Sequence, residues 1–74
     1  MEFQDYYIKI GKRIKQLREQ NSLTQEQLAT RADISLDYLG KIEVNINKPG
    51  LKSIFKIAKA LNVEPKSLLE FNNL

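Results

Sequence analysis

The side chains with most to offer another molecule lie close together: Leu36, Asp37, Tyr38 and Lys41. A carboxylate, a phenol, an ammonium group and an isobutyl group supply hydrogen-bond acceptors, donors and an apolar contact. They do not supply a reaction. The chain has no Cys and no His, so a thiol nucleophile, an imidazole base and a zinc site of the usual ligands are all excluded. Carboxylates and lysines are present, but no spacing gathers them into a catalytic pair or a metal set. A chain of 74 residues also rarely encloses a pocket of useful size. The chemistry on offer is recognition, with no cofactor and no metal.

The elements that must hold these four residues run from Thr24 to Glu43. Apolar spacing predicts two short helices joined by a tight turn. Leu28, Ala29 and Ala32 line the first helix, Ile34 sits in the turn, and Leu39 and Ile42 line the second. Thr24 and Gln27 have capping-box spacing, and Ser35 is a good N-cap for the second helix. Leu36, Asp37, Tyr38 and Lys41 are then left on its outer side. This is the layout of a helix-turn-helix, whose second helix enters the DNA major groove.

Helical spacing continues on both sides. A first helix opens near Asp5, a good N-cap, and carries Tyr7, Ile10, Ile14 and Leu17 on one row; Asn21 closes it in a left-handed conformation. Asn45 to Gly50 reads as a loop. Leu51, Ile54, Ile57, Ala58 and Leu61 form the broad buried face of a fourth helix, which Asn62 stops. Pro65 opens a fifth carrying Leu68 and Leu69, and the chain frays from Phe71 to Leu74. The prediction is all-α: one compact domain over residues 1–74, with five helices, a core from 10 to 69 and the motif at 24–43.

Composition bounds the rest. At 42% hydrophobic and 28% charged, the chain reads as an ordinary globular domain. A domain of this size buries only about 60% of its unfolded surface, and without disulfides or metal, self-association is the remaining source of added stability. The net charge of +3 suits a polyanionic partner without requiring one. No run of 18 apolar residues exists to span a membrane, and MEFQDYYIKI has neither the basic start nor the apolar run of a signal peptide. The expected location is the cytoplasm.

Several segments in order carry a resemblance: Leu17-Arg18, Leu23-Thr24-Gln25-Glu26-Gln27-Leu28-Ala29, Ile34-Ser35, Ile42-Glu43, Pro49-Gly50-Leu51 and Ile57-Ala58-Lys59-Ala60-Leu61-Asn62-Val63. Together they resemble the Xre-type, lambda-repressor-like helix-turn-helix proteins, which include phage repressors and Cro proteins. The controller proteins of restriction–modification systems look similar too. The resemblance implies a transcriptional regulator that binds double-stranded DNA, with no enzymatic activity. It also implies a contact of Gln25 with DNA phosphate, aided by free N–H groups at the helix start, and a charged pair between Arg18 and Glu43. Arg18 follows the apolar Leu17 and Glu43 follows the apolar Ile42, so both flank the core. Asp33 stands where the family usually has Gly, at a position favouring positive φ.

On the second helix of the motif, Lys41 is matched to a guanine edge or a phosphate, and Tyr38 to phosphate through its hydroxyl. Leu36 is either a thymine-methyl contact or a satellite core residue. Asp37 either accepts from cytosine N4 or complements the helix N-terminus. Gly40, a poor interior helix residue, implies close approach to DNA or to the first helix. The phosphate candidates are Gln25, Ser35, Asn45, Asn47, Lys48 and Lys52. The first-helix lysines read as a solvated face, with Lys9 and Arg13 as possible exceptions. Phe55, Leu68, Phe71 and Leu74, with Phe3 and Tyr6, either complete the core or build a two-fold homodimer interface from the last two helices, with Phe55, Leu68 and Phe71 as its anchors. No second domain is evident to sense a small-molecule effector. The rival reading is a protein-interaction module, or an antitoxin-type partner, on the same fold.

Overall fold

A computed structural model describes residues 2–71. Four α-helices are followed by a short 3-10 helix, with no strand among the described residues: α1 (Phe3–Gln20), α2 (Gln25–Ala32), α3 (Leu36–Glu43), α4 (Leu51–Ala60) and the 3-10 segment Pro65–Leu69. The predicted fifth helix is thus a single tight coil. Its bonds span three residues, Ser67 N–H to Glu64 C=O at 2.9 Å, and five residues are too few to settle into α geometry. The first helix begins before Asp5. Asp5 occupies its first turn, and its carboxylate accepts from the Glu2 N–H at 3.3 Å.

Each α-helix ends the same way, through a left-handed residue that is not glycine: Ser22, Asp33, Asn45 and Asn62, with φ of 56°, 55°, 63° and 58°. At each, paired backbone bonds turn the chain out of the helix. After α3, for example, Asn45 N–H donates to Ile42 C=O and Ile46 N–H to Lys41 C=O. The residue that follows is apolar every time: Leu23, Ile34, Ile46 and Val63. Leu23, Ile34 and Val63 fold back onto the core, whereas Ile46 stays 69% exposed. The expectation for Asn21 is corrected here. Its φ is −93°, its side-chain amide donates to Leu17 C=O at 2.7 Å, and Ser22 takes the left-handed position.

α2 packs on α3 and α4, α1 packs on α3 and the 3-10 helix, and the 3-10 helix closes against α4. Ile14, Leu28, Leu39, Ile42, Ile57 and Leu68 are the largest fully buried side chains, one or more from every helix. Burying each gains about 1.5–3 kcal/mol, so the helices hold one another rather than standing alone. Leu51 and Leu69 do not join them; they are 70% and 55% exposed. Leu51 opens α4 on its solvent side, and Leu69 lies beside the buried Leu68 at the end of the 3-10 segment.

Candidate nucleic-acid interface

The α2–turn–α3 unit is held by reciprocal caps. Thr24 Oγ1 accepts from the Gln27 N–H at 3.0 Å, and Gln27 Oε1 accepts from the Thr24 N–H at 2.8 Å. Ser35 Oγ accepts from the Tyr38 N–H at 3.0 Å and so starts α3. Behind α3, Leu39 and Ile42 are buried and α1 crosses closely. The contact point is Gly11, where a Cβ would collide with the Ile42 carbonyl oxygen. Sequence reasoning missed Gly11; its signal is a glycine beside Ile10, within the buried row of an amphipathic helix. Gly40 is different. A Cβ there would meet nothing of α1, only the amide oxygen of Gln25 at 3.9 Å.

The outer side of α3 carries the four recognition candidates, with distinct surroundings. Leu36 is 46% exposed, which removes it from the core. The Asp37 carboxylate pairs with Lys41 Nζ at 3.0 Å, one helical turn on, so the two charges of this face neutralise each other. Tyr38 is half-buried, and its hydroxyl lies 3.0 Å from Ser53 Oγ on α4. That hydroxyl is already engaged, and Ser53 was not legible as its partner.

At one edge of this face the starts and ends of three helices converge. Arg18 clamps the Glu43 carboxylate with two bonds, Nε to Oε2 at 2.8 Å and Nη2 to Oε1 at 3.0 Å, and donates a third to Leu23 C=O at 2.7 Å. Both residues are more than nine-tenths buried. Hydrogen bonding of the guanidinium to the Glu43 carboxylate is the main reason Arg18 is held protonated above its ordinary range; burial opposes this, and the charge of Glu43 adds to it. Gln25, the first residue of α2, joins the cluster through Nε2, which donates to Glu43 Oε1 at 3.1 Å.

The remaining phosphate candidates cluster after α3. Asn45 and Asn47 are half-buried; Lys48 and Lys52 are exposed. The Lys48 ammonium lies 5.2 Å from the Tyr7 ring centre. Gly50 gives α4 no side-chain cap, and no acid lies in its first turn, so its positive dipole end stands open beside Lys52. Arg13 is not a free contact: its Nε donates to Ser67 C=O at 2.8 Å and its Nη1 to Gln16 at 2.8 Å, tying α1 to the 3-10 helix. Lys9 is likewise engaged within the protein. Among the dimer candidates, Phe55 is 51% exposed and lines a shallow apolar groove with Ala58, Val63 and Pro65. Phe71 is half-buried against the core, and Leu74 lies outside the described residues. Leu68 is fully buried within the protomer and has no surface to offer a partner.

Known proteins share this fold. A family model described as helix-turn-helix matches residues 14–68. Control protein C.BamHI of Bacillus amyloliquefaciens is 37% identical over 65 residues, covering 86% of this chain and 80% of that protein. The crystal structure of the restriction–modification controller protein C.AhdI from Aeromonas hydrophila superposes with a TM-score of 0.82 at 35% identity, covering 84% of this chain and 94% of that one. The regulator SinR of Bacillus subtilis is 34% identical over 62 residues, and this chain spans 56% of its length. The structure of SinR in complex with DNA superposes with a TM-score of 0.78 at 34% identity, over 82% of this chain and 98% of that one. With a model match across most of its length and relatives of this identity, the chain belongs to the helix-turn-helix family.

Proposed function

We propose that this protein is a sequence-specific DNA-binding transcriptional regulator. It inserts α3 into the major groove of a short palindromic operator. The observation that carries this reading is the presentation of α3: capped by Ser35, buried along Leu39 and Ile42, and open along Leu36, Asp37 and Lys41. The similarity to SinR, solved in complex with DNA, supports it. Leu36 meets thymine methyls, Lys41 a guanine edge or phosphate, and Asp37 the cytosine amino group. Tyr38, held by Ser53, sits at the border between base and backbone contacts. Ser35, Asn45, Asn47, Lys48 and Lys52, with the backbone start of α2 at Gln25, grip phosphates and set the register.

The protein acts as a homodimer through the exposed side of α4 and the segment after it. Phe55 is the central anchor, and Leu51 on the same helix and Leu69 in the segment after it are further exposed apolar groups. Two-fold symmetry then places half-sites about 34–36 Å apart. A DNA-binding role calls for no catalytic step and places the protein with its DNA in the cytoplasm. No helix among the described residues is long and apolar enough to cross a membrane.

The test is selection of bound duplexes from a random library at about 150 mM salt, where nonspecific affinity is weak. An inverted repeat with half-sites one turn apart is expected. Recovery of no preferred sequence, with binding abolished by added salt, would overturn the reading and favour a protein partner for the same surface.

A further inference from the structure

We infer that Glu43 is a positioning residue for recognition. By fixing the amide of Gln25 it turns that side chain into a reader of base amino groups. The inference rests on the DNA-binding reading above.

The chemistry of the contact dictates the orientation. A glutamine amide can present either its oxygen or its nitrogen to a neighbour, and the two ends look alike in shape. A carboxylate offers only acceptors, so Glu43 admits only the nitrogen end, as the 3.1 Å bond from Gln25 Nε2 to Glu43 Oε1 records. Glu43 cannot turn away to relax this choice, because Arg18 grips both of its oxygens and is itself anchored to Leu23 C=O. The Gln25 oxygen is therefore held on the other side. It lies over the half-buried Gly40 of α3, 3.9 Å from where a Cβ would stand. The amide oxygen takes no hydrogen bond among the described residues.

An outward acceptor cannot bond a phosphate oxygen, which is itself an acceptor. It matches a donor. In the major groove the base donors are the amino groups of adenine N6 and cytosine N4. Gln25 reaches that groove from α2 across the bare backbone of Gly40, so it adds one read position to those of α3. The Arg18–Glu43 pair, which holds three helices together, acts at the same time as the lock on that position. Phosphate binding at this corner is left to the backbone N–H groups at the start of α2.

The experiment compares library selections for the wild-type protein, Gln25→Met and Glu43→Gln, with each variant's melting temperature measured alongside. Gln25→Met keeps the length and apolar stem of the side chain and removes one hydrogen bond to Glu43 while leaving both bonds of the Arg18–Glu43 pair in place, so it remains informative if Glu43→Gln fails to fold. The wild type is expected to select adenine or cytosine over its alternatives at one position per half-site by about fivefold or more. Gln25→Met is expected to lose that preference alone, with the salt slope unchanged. A folded Glu43→Gln, whose own amide no longer enforces one orientation, is expected to weaken it at the same position. If Gln25→Met instead lowers affinity evenly across sequences and flattens the salt slope by about 1, Gln25 is a phosphate contact and the inference fails while the DNA reading stands. If a folded Glu43→Gln keeps the preference that Gln25→Met loses, Gln25 reads without the lock and the positioning role falls. If the wild type selects no sequence at all, both are overturned.

Discussion

The Tyr38 hydroxyl and Ser53 Oγ lie 3.0 Å apart and join α3 to the first turn of α4. The ring of Tyr38 also packs against the core. Tyr38 thus ties the outer face of α3 both to the core and to the helix carrying Phe55. A dimer built on α4 would transmit its geometry to the groove through this contact.

Removing the hydroxyl separates these roles. Tyr38→Phe keeps the packing and loses a half-buried hydrogen bond, with an expected cost of about 0.5–1.5 kcal/mol in urea unfolding. An unchanged midpoint would mean that water replaces the hydroxyl on Ser53 without loss.

Arg18→Met leaves the Glu43 carboxylate buried without its cation, and the expected loss is about 3–5 kcal/mol. Replacing both, as Arg18→Met with Glu43→Leu, is expected to recover most of it, because the cost lies in the orphaned charge. A single variant within 1 kcal/mol of wild type by denaturant titration would show that the pair is hydrated. The guanidinium is held protonated above its ordinary range when folded. Its stabilising contribution is therefore complete below the unfolded value and is lost only as pH rises through the folded one, in strongly alkaline solution. Stability measured from pH 6 to 9 is expected to show no dependence arising from Arg18.

The two helix-interior glycines respond in opposite directions. Gly11→Ala drives a methyl group into the Ile42 carbonyl and is expected to destabilise by about 1–3 kcal/mol, since backbone on both sides must shift. Gly40→Ala meets only the Gln25 amide at an ordinary contact distance and is expected to stabilise by about 1 kcal/mol. Thermal melts of both variants decide this. A loss of DNA affinity in a stabilised Gly40→Ala would assign the bare backbone to groove contact.

Asp33 holds φ at 55°, and its side chain lies almost wholly in solvent, with Lys56 Nζ at 3.9 Å. Asp33→Gly relieves the left-handed strain without removing a buried contact, so a gain of about 0.5 kcal/mol is expected. A fall in melting temperature would show that the loose contact with Lys56 outweighs the strain.

These residues also show what could be read in advance. Thr24, Gln27 and Ser35 announce their helices because capping is local, set by residues three apart. Leu28, Leu39 and Ile42 announce the core because helical period is local as well. The partner of Tyr38 fifteen residues on, the tie from Arg13 to Ser67, and the clearance required at Gly11 depend on how helices cross, which no short window encodes. Leu68 and Leu69 illustrate the same boundary. Either neighbour could have faced inward, and only the pitch of the 3-10 turn buries the first and exposes the second. Family resemblance bridges part of this gap, as with Arg18 and Glu43, but it does not foresee that Gln25 joins them.

Charge on and after α3 gives the proposed contacts two separable tests. Lys48 and Lys52 are exposed with no acid within ion-pair distance among the described residues, so neutralising both is expected to flatten the dependence of log K on log salt by about 2. Lys41 differs, because Asp37 lies 3.0 Å away and cancels its field. Asp37→Asn frees that charge for any phosphate, and the salt slope is expected to steepen by about 1. Affinity for random duplex then rises. Affinity for the operator is expected to rise less, since the charged acceptor proposed for cytosine N4 becomes an amide that can turn its nitrogen to the base instead. The ratio of operator to random affinity should fall although both complexes tighten. Titrations of each duplex at several salt concentrations measure this directly. An unchanged slope for Asp37→Asn would mean that Lys41 leaves Asp37 for the backbone in the wild-type complex already, and the pair would then have no part in discrimination.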